Sequence, residues 1–337
     1  MNLGSFILRR ILLIFPTLFG VSLLTFVLSR VVPGDPARLA AGAQATPEMY
    51  EQIRQEFGLD QPLPVQYVDY VIGVLQGDWG RSILSRRPVV DDLRVFWPAT
   101  LELVVTAMLI AVAIGVPLGI LAAVRADRPA DQVSRVVALL GVSLPAFWLA
   151  VLFQLLFAWK LGWLPASGRL GTLSDAPSMV TGLYTIDSLL AGQRTTFGES
   201  LRQILLPAFT LSFPAMATIM RFTRATLLET LGQDYVRTAR AKGVGERRIV
   251  LGHALRNAMI PTITMIGLSF GWAMGGSVLV ETVFDWPGIG LYATKSALTL
   301  DFMPIMGIAL LYGVVFSLIN IAVDVTYGAL DPRVSRS

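Results

Sequence analysis

Residues Ile11 to Leu28 read ILLIFPTLFGVSLLTFVL, an apolar run without a charge. About 18 such residues are what a helix needs to approach the thickness of a bilayer's hydrocarbon core. Only a helix or a closed barrel can satisfy its own backbone there. Arg9 and Arg10 stand directly before the run, and no small-x-small cleavage signal follows it. It is longer than the apolar core of an export signal. It therefore reads as a retained membrane helix, with the paired arginines holding the amino terminus in the cytoplasm.

The same pattern recurs along the chain. Further apolar runs at about 99–124, 136–158, 204–220, 260–280 and 304–325 are each long enough to cross a bilayer with some tilt. They predict an all-α integral membrane protein with about six transmembrane helices. Composition agrees: 54% of the 337 residues are hydrophobic and only 15% are charged, with a mean hydropathy of +0.64. A soluble core of this size would not bury so much apolar surface.

Orientation follows from the cations. Arg125, Arg128 and Arg135 fall between the second and third runs; Arg221, Arg224, Arg237, Arg240, Lys242, Arg247, Arg248 and Arg256 fall between the fourth and fifth. Lys295 alone lies between the fifth and sixth. Basic loops stay inside, so both termini are expected in the cytoplasm, the carboxyl-terminal one carrying Arg333 and Arg336. The predicted organisation is an amino terminus and first helix at 1–31, an external segment at 32–96, a transmembrane core at 97–328 with a cytoplasmic loop at 221–259, and a cytoplasmic tail at 329–337.

The first external segment has a helical stretch from Pro47 to Phe57 and a turn at Asp60-Gln61-Pro62-Leu63-Pro64, which predicts a small folded cap. The second, about 161–203, is read as an irregular lid or contact loop from its Gly, Ser and Thr clusters. Pro16, Pro117, Pro145, Pro207 and Pro214 interrupt the spans, and Gly271, Gly275 and Gly276 cluster in the fifth. Freed backbone groups must be paired again by neighbouring helices or water, and small residues permit close helix contact. No internal repeat is evident.

Several functions are excluded. The chain has no cysteine, hence no disulfide, thiolate nucleophile or Cys-based metal site, and its single histidine, His253, rules out a His-rich metal site. The formal charge of +4 is almost all arginine, gathered between apolar runs; lipid headgroups and an acidic partner suit it, and nucleic acid does not. There is no His-Glu-x-x-His or Gly-x-Ser-x-Gly, so no catalytic residue is expected. An ion-coupled secondary transporter stays open as the rival reading from another class, and it would need a titratable group near mid-membrane. Glu102 and Asp324 fall near span ends, where an interfacial position or a neighbouring cation is expected. Trp148, Trp159 and Trp163 read as interfacial anchors.

The stretch Gln233 to Pro261, QDYVRTARAKGVGERRIVLGHALRNAMIP, predicts a helix, a glycine turn and a second, basic helix. Asp234 would cap a short helix carrying Tyr235 and Ala239 on one face, Gly243 would break it, and Glu246 would begin the next.

This segment resembles the coupling loop of binding-protein-dependent ABC importer permeases, whose pattern is Glu-Ala-Ala, three residues, Gly, nine residues, Ile-x-Leu-Pro. With Gly243 as the motif glycine, Ala239 and Leu255 keep the pattern, while Arg237, Thr238, His253 and Arg256 depart from it. Tyr-Val-Arg-Thr-Ala-Arg-Ala-Lys-Gly followed by His-Ala-Leu-Arg-Asn-Ala is similar to the dipeptide, oligopeptide and nickel branch. So are Leu8-Arg9-Arg10, Gly34-Asp35-Pro36, Gly58-Leu59-Asp60, Gly77-Asp78-Trp79-Gly80, Pro145-Ala146-Phe147-Trp148, Leu161 to Gly168, Glu281 to Phe284, Trp286-Pro287-Gly288 and Asp331-Pro332-Arg333.

Within the branch the chain is most similar to the first permease subunit of dipeptide importers, including forms associated with haem uptake; nickel and glutathione permeases share the framework. The resemblance implies a type I importer fold, a second homologous permease forming a heterodimer, two ABC ATPases and a periplasmic or lipid-anchored peptide-binding protein. It implies that Tyr235, Arg237, Thr238, Ala239, Arg240, Ala241, Lys242, Gly243, His253, Leu255 and Arg256 form the surface that meets the ATPases. No Gly-x-x-x-x-Gly-Lys-Ser/Thr phosphate loop surrounds Lys160, Lys242 or Lys295. ATP and Mg are therefore expected on the partner ATPases, with no cofactor or metal bound by this chain.

Overall fold

The computed structural model describes residues 3–31, 36–42, 45–171 and 174–330. Gly34, Asp35, Asp331, Pro332, Arg333 and Arg336 lie outside the described residues, as do the side chains of Arg9 and Asp324. Among the described residues, every regular element is helical.

Helix α1 (Leu3–Val31) runs against α14 (Phe302–Leu330) and turns Phe15, Phe19 and Leu24 outward, as a lipid-facing surface requires. The cap that follows consists of α2 (Pro36–Ala41), α3 (Pro47–Glu56) and α4 (Leu63–Gln76). Thr46 caps α3 by accepting from the Met49 amide at 3.3 Å, and Pro47 fits the first helical position because its missing N–H would have no partner there. Tyr67 of α4 packs edge-on to Phe26 at 5.2 Å and hydrogen-bonds Ser22 at 2.8 Å, docking the cap on α1.

The core is built on α5 (Val89–Val124), α9 (Arg194–Leu231) and α12 (Leu255–Val283). Leu103, Ala107 and Ala111 repeat every four residues on α5 and meet Ile204, Ala208, Leu211 and Ala215 of α9, with Ala273 and Val280 of α12. Lipid supplies no hydrophobic drive between helices, so close approach matters. A Cβ on Gly119 would sit 2.7 Å from the Met220 carbonyl oxygen, and one on Gly115 2.9 Å from that of Met216. Helix α5 begins ten residues before the apolar run at 99, with Asp91 and Asp92 in its first turn facing the positive end of the helix dipole.

The run at 136–158 is not one straight helix. It divides into α6 (Pro129–Ser143) and α7 (Ala146–Phe153), the latter continued by a π-helical stretch at Gln154–Lys160, and the two parts are bent by 107°. Pro145 cannot donate a backbone hydrogen bond and holds Leu144 in an extended conformation (φ −85°, ψ 130°), which ends α6. Among the described residues there are thus five unbroken candidate spans, and six if the bent pair counts as one.

The segment at 161–203 is more ordered than a loop reading suggests. It contains α8 (Tyr184–Leu190), and α9 already begins at Arg194. Arg169 is buried against Glu102, donates to the Gly182 carbonyl at 2.6 Å and stacks on the Tyr184 ring at 3.7 Å. Glu102 also accepts from the Thr185 amide at 2.8 Å. It therefore has the neighbouring cation that its position called for.

Candidate functional site

At the basic end of the bundle, α9 runs past the apolar run at 204–220 to Leu231, and the chain turns into α10 (Asp234–Ala241). A helix of two turns is marginal in water by itself. Three tethers hold it. Val236 is fully buried where α10 packs on the π-helical turn Ile249–Ala254. The Tyr235 hydroxyl accepts from Asn257 Nδ2 at 2.8 Å, and Arg240 donates to Glu246 at 2.6 and 3.1 Å.

The cap differs from the sequence expectation. Gln233 is the N-cap and makes no side-chain cap bond, while Asp234 opens the helix and pairs with Arg237 at 3.3 Å. Asp234 is favourable at this end through the helix dipole and not as a cap. Gly243 has φ +75°, a left-handed conformation that side chains resist, and its amide closes the helix by donating to the Arg240 carbonyl at 2.9 Å. Glu246 then begins α11 (Glu246–Arg248), and the chain passes through the π-helical turn into α12.

The expected residues separate into groups. Arg237, Thr238, Ala241, Lys242 and Gly243 are exposed, and Ala239 is half-buried beside them. Tyr235, 42% exposed, and Arg240 have dual roles, tethering α10 while remaining accessible. His253 and Arg256 are exposed on the adjoining π-helical turn and α12, and Leu255 is half-buried. Val236 was missed in the sequence: a lone valine between Tyr235 and Arg237 carries no periodic signal. Beneath this surface, Ala123 of α5, Leu227 of α9, and Val250, Ala254 and Ala258 form one apolar cluster, which seats the turn on the core helices.

Two buried carboxylates of the core, Glu102 and Glu281, are paired locally. Glu281 was passed over as a candidate ion site; it is fully buried and accepts from Thr100 Oγ1 at 2.8 Å and from the Gly290 and Leu291 amides at 2.6 and 3.1 Å. It thereby pairs two of the free amides at the N-terminus of α13 (Ile289–Leu298). Among the described residues, no cluster of His, Cys, Asp or Glu could hold a metal ion.

The described residues form a bundle of five or six candidate membrane spans that presents a short tethered helix at its basic end, the architecture of a membrane-embedded subunit. The family described as the binding-protein-dependent transport system inner membrane component matches residues 115–336, and its amino-terminal counterpart matches residues 3–104. The chain belongs to this family, and its fold is that of a type I ABC importer permease.

The chain is 47% identical, over 94% of its length and 93% of the relative's, to an Escherichia coli K12 protein designated "Probable D,D-dipeptide transport system permease protein DdpB". It is 40% identical, over 98% and 99%, to the dipeptide transport system permease protein DppB of Alkalihalophilus pseudofirmus. It is 42% identical, over 98% of both chains, to the glutathione transport system permease protein GsiC of Escherichia coli K12. The protein is therefore a multi-pass inner-membrane permease component of a transport system with other subunits.

Proposed function

We propose that this chain is the first permease subunit of an importer that carries dipeptides or short peptides into the cytoplasm. Its basic end faces the cytoplasm, both termini lie there, and the cap of α2 to α4 lies outside. The positive-inside distribution of arginine supports this orientation. The partners are a second homologous permease, two ABC ATPases that use ATP and Mg, and a peptide-binding protein outside the membrane.

The observation that carries the coupling role is the exposed face of α10 and its glycine turn, held at the tip of α9. Closure of the two ATPases would move α10 as a rigid lever and switch the pathway between its outward and inward openings. Arg237 and Lys242 offer cations to acidic groups on an ATPase, and the small side chain of Ala239 lets the helix approach its socket.

Relatives named for dipeptide transport support the substrate class. The 42% identical glutathione permease supports a second reading, since glutathione is itself a short peptide. The test is ATPase activity in nanodiscs of the chain assembled with its partner permease and ATPases, as binding protein and dipeptide or glutathione are added. Stimulation by loaded binding protein, lost in a Gly243→Trp variant that still assembles, supports the proposal. Substrate movement by this chain alone under a proton gradient, unaffected by the variant, would replace it with an ion-coupled carrier.

A further inference from the structure

Far from α10, one cavity gathers buried polar atoms that the fold leaves unpaired. It measures about 350 Å³ and lies where the end of α1 meets α4 and the start of α14. Arg30 Nε, Gln66 Oε1, Tyr70 OH and Asp301 Oδ1 are each buried without a hydrogen-bond partner, and all four residues line it. Buried polar atoms are ordinarily paired, and leaving one unpaired is costly. Four unpaired atoms around one cavity mark a place for a ligand that completes them.

Asp301 is the strongest of these. Its side chain is fully buried, and Oδ2 accepts from Ser82 Oγ at 2.6 Å and from the Leu84 amide at 3.1 Å, while Oδ1 is left open. Burial pushes its carboxyl above the ordinary carboxylate range, as expected for a charge still lacking part of its compensation. On the α1 side the wall is basic: Arg30 lies over the Phe26 ring at 5.2 Å with its Nε free. Phe26, Phe57 and Met303 supply apolar surface.

We propose that this cavity binds a small zwitterion, a primary ammonium joined by a short carbon chain to a phosphate or carboxylate, with the ammonium received at Asp301 and the anion at Arg30. Three open oxygens, on Asp301, Gln66 and Tyr70, equal in number the three N–H donors of a primary ammonium. A quaternary ammonium has none to give. Two sources share this chemistry: the phosphoethanolamine head of a membrane lipid, since the cavity is lined by the end of α1, whose other face is turned outward, and a free amino acid or dipeptide. The site lies apart from α10, and the proposal does not depend on the direction of transport.

The test uses the full chain, assembled with its partner subunits, in phosphatidylglycerol nanodiscs. Calorimetric titration compares phosphoethanolamine, phosphocholine, glycine and dialanine; native mass spectrometry compares discs doped with phosphatidylethanolamine or phosphatidylcholine. The expected result is saturable binding of at least one primary-amine probe, with binding of its N-methylated counterpart at least tenfold weaker. Asp301→Asn and Arg30→Gln should each weaken binding at least tenfold, while Asp91→Asn, on an exposed side chain of α5, should leave it unchanged.

Retained phosphatidylethanolamine that phosphoethanolamine displaces assigns the site to lipid. Glycine or dialanine binding without retained lipid assigns it to a solute. No saturable binding of any probe to the wild-type protein, or phosphocholine binding as well as phosphoethanolamine, overturns the proposal. If Asp301→Asn does not assemble, the milder Tyr70→Phe takes its place with a several-fold loss expected; unchanged binding in a folded Asp301 or Tyr70 variant also overturns it.

Discussion

Arg224 of α9 closes its guanidinium on both carboxylate oxygens of Asp131, the Nη2–Oδ2 contact being 2.8 Å, and so fastens the long helix that leads to α10 onto the first turn of α6. Asp131 is fully buried, accepts also from the Asp127 amide at 3.0 Å, and is shared with Arg135. Two-pronged contact of this kind fixes direction as well as distance. In the proposed coupling, a displacement of α10 would reach the bent pair of α6 and α7 through this paired contact.

Asp131→Ala leaves Arg224 without its partner in a partly buried place, and breaking such a pair costs on the order of 3 kcal/mol. The melting temperature of the purified chain should fall. Asp131→Asn, which retains a hydrogen-bonding side chain, should fall less, but ATP hydrolysis in the assembled complex should lose much of its response to loaded binding protein. Arg224→Lys should resemble Asp131→Asn because an ammonium cannot make the paired contact. Full stimulation in both of these milder variants would show that the joint is merely structural.

Val236→Ala removes the one fully buried side chain of α10 and should weaken its docking by about 2 kcal/mol. The loss should be local, because α10 packs on the π-helical turn and reaches the core helices through the Tyr235–Asn257 hydrogen bond at the start of α12. Hydrogen exchange should show faster exchange across 234–243 with unchanged protection in α5 and α9. Uniform loss of protection throughout the chain would mean that α10 is part of the core's cooperative unit.

Most of the architecture is legible in the sequence because lipid enforces long, uncharged helical runs, and five of these correspond to unbroken spans. The break in the sixth is carried by Pro145, which is visible in the sequence, yet a proline alone does not say whether a helix kinks or divides. Glu102–Arg169 and Glu281–Thr100 join positions 67 and 181 residues apart, and no periodicity links them. The close approach of α5 and α9 at Gly115 and Gly119 follows the same small-residue spacing that drew attention to Gly271 and Gly275. At α10 the helix, the glycine turn and the second helix were all legible from local chemistry. Its anchoring by Val236 was not, because burial of a single residue is a tertiary fact.

Gly119→Ala places a methyl group 2.7 Å from both the Met220 carbonyl oxygen and Thr223 Cβ, closer than real contacts permit. The two helices must separate, at a cost of roughly 1–3 kcal/mol typical of overpacking. Thermal unfolding of the detergent-solubilised chain should shift downward. Gly275→Ala, whose Cβ would meet nothing within 4 Å, should leave it nearly unchanged and acts as the matched control. Equal shifts in the two would show that loss of glycine, and not helix contact, sets the cost.

Asp187 closes the loop before α8 by accepting from the Val180, Thr181 and Gly182 amides at 3.2, 2.8 and 2.8 Å and from the Thr181 hydroxyl at 2.7 Å. Burial alone would raise its carboxyl, but these donors outweigh burial and hold it below the usual carboxylate range. A depressed folded-state pKa stabilises above the unfolded value, about 3.9, and that contribution is lost as pH falls through the folded-state value. At neutral pH the wild-type chain should therefore be more stable than Asp187→Asn, which turns one acceptor oxygen into a donor facing the same amides. The gap should narrow below about pH 4 as the wild-type carboxyl takes up its proton. Melting temperatures of both proteins from pH 7 downward check this, and a gap that stays constant through the acid range would show that the loop is held by packing and not by the carboxylate.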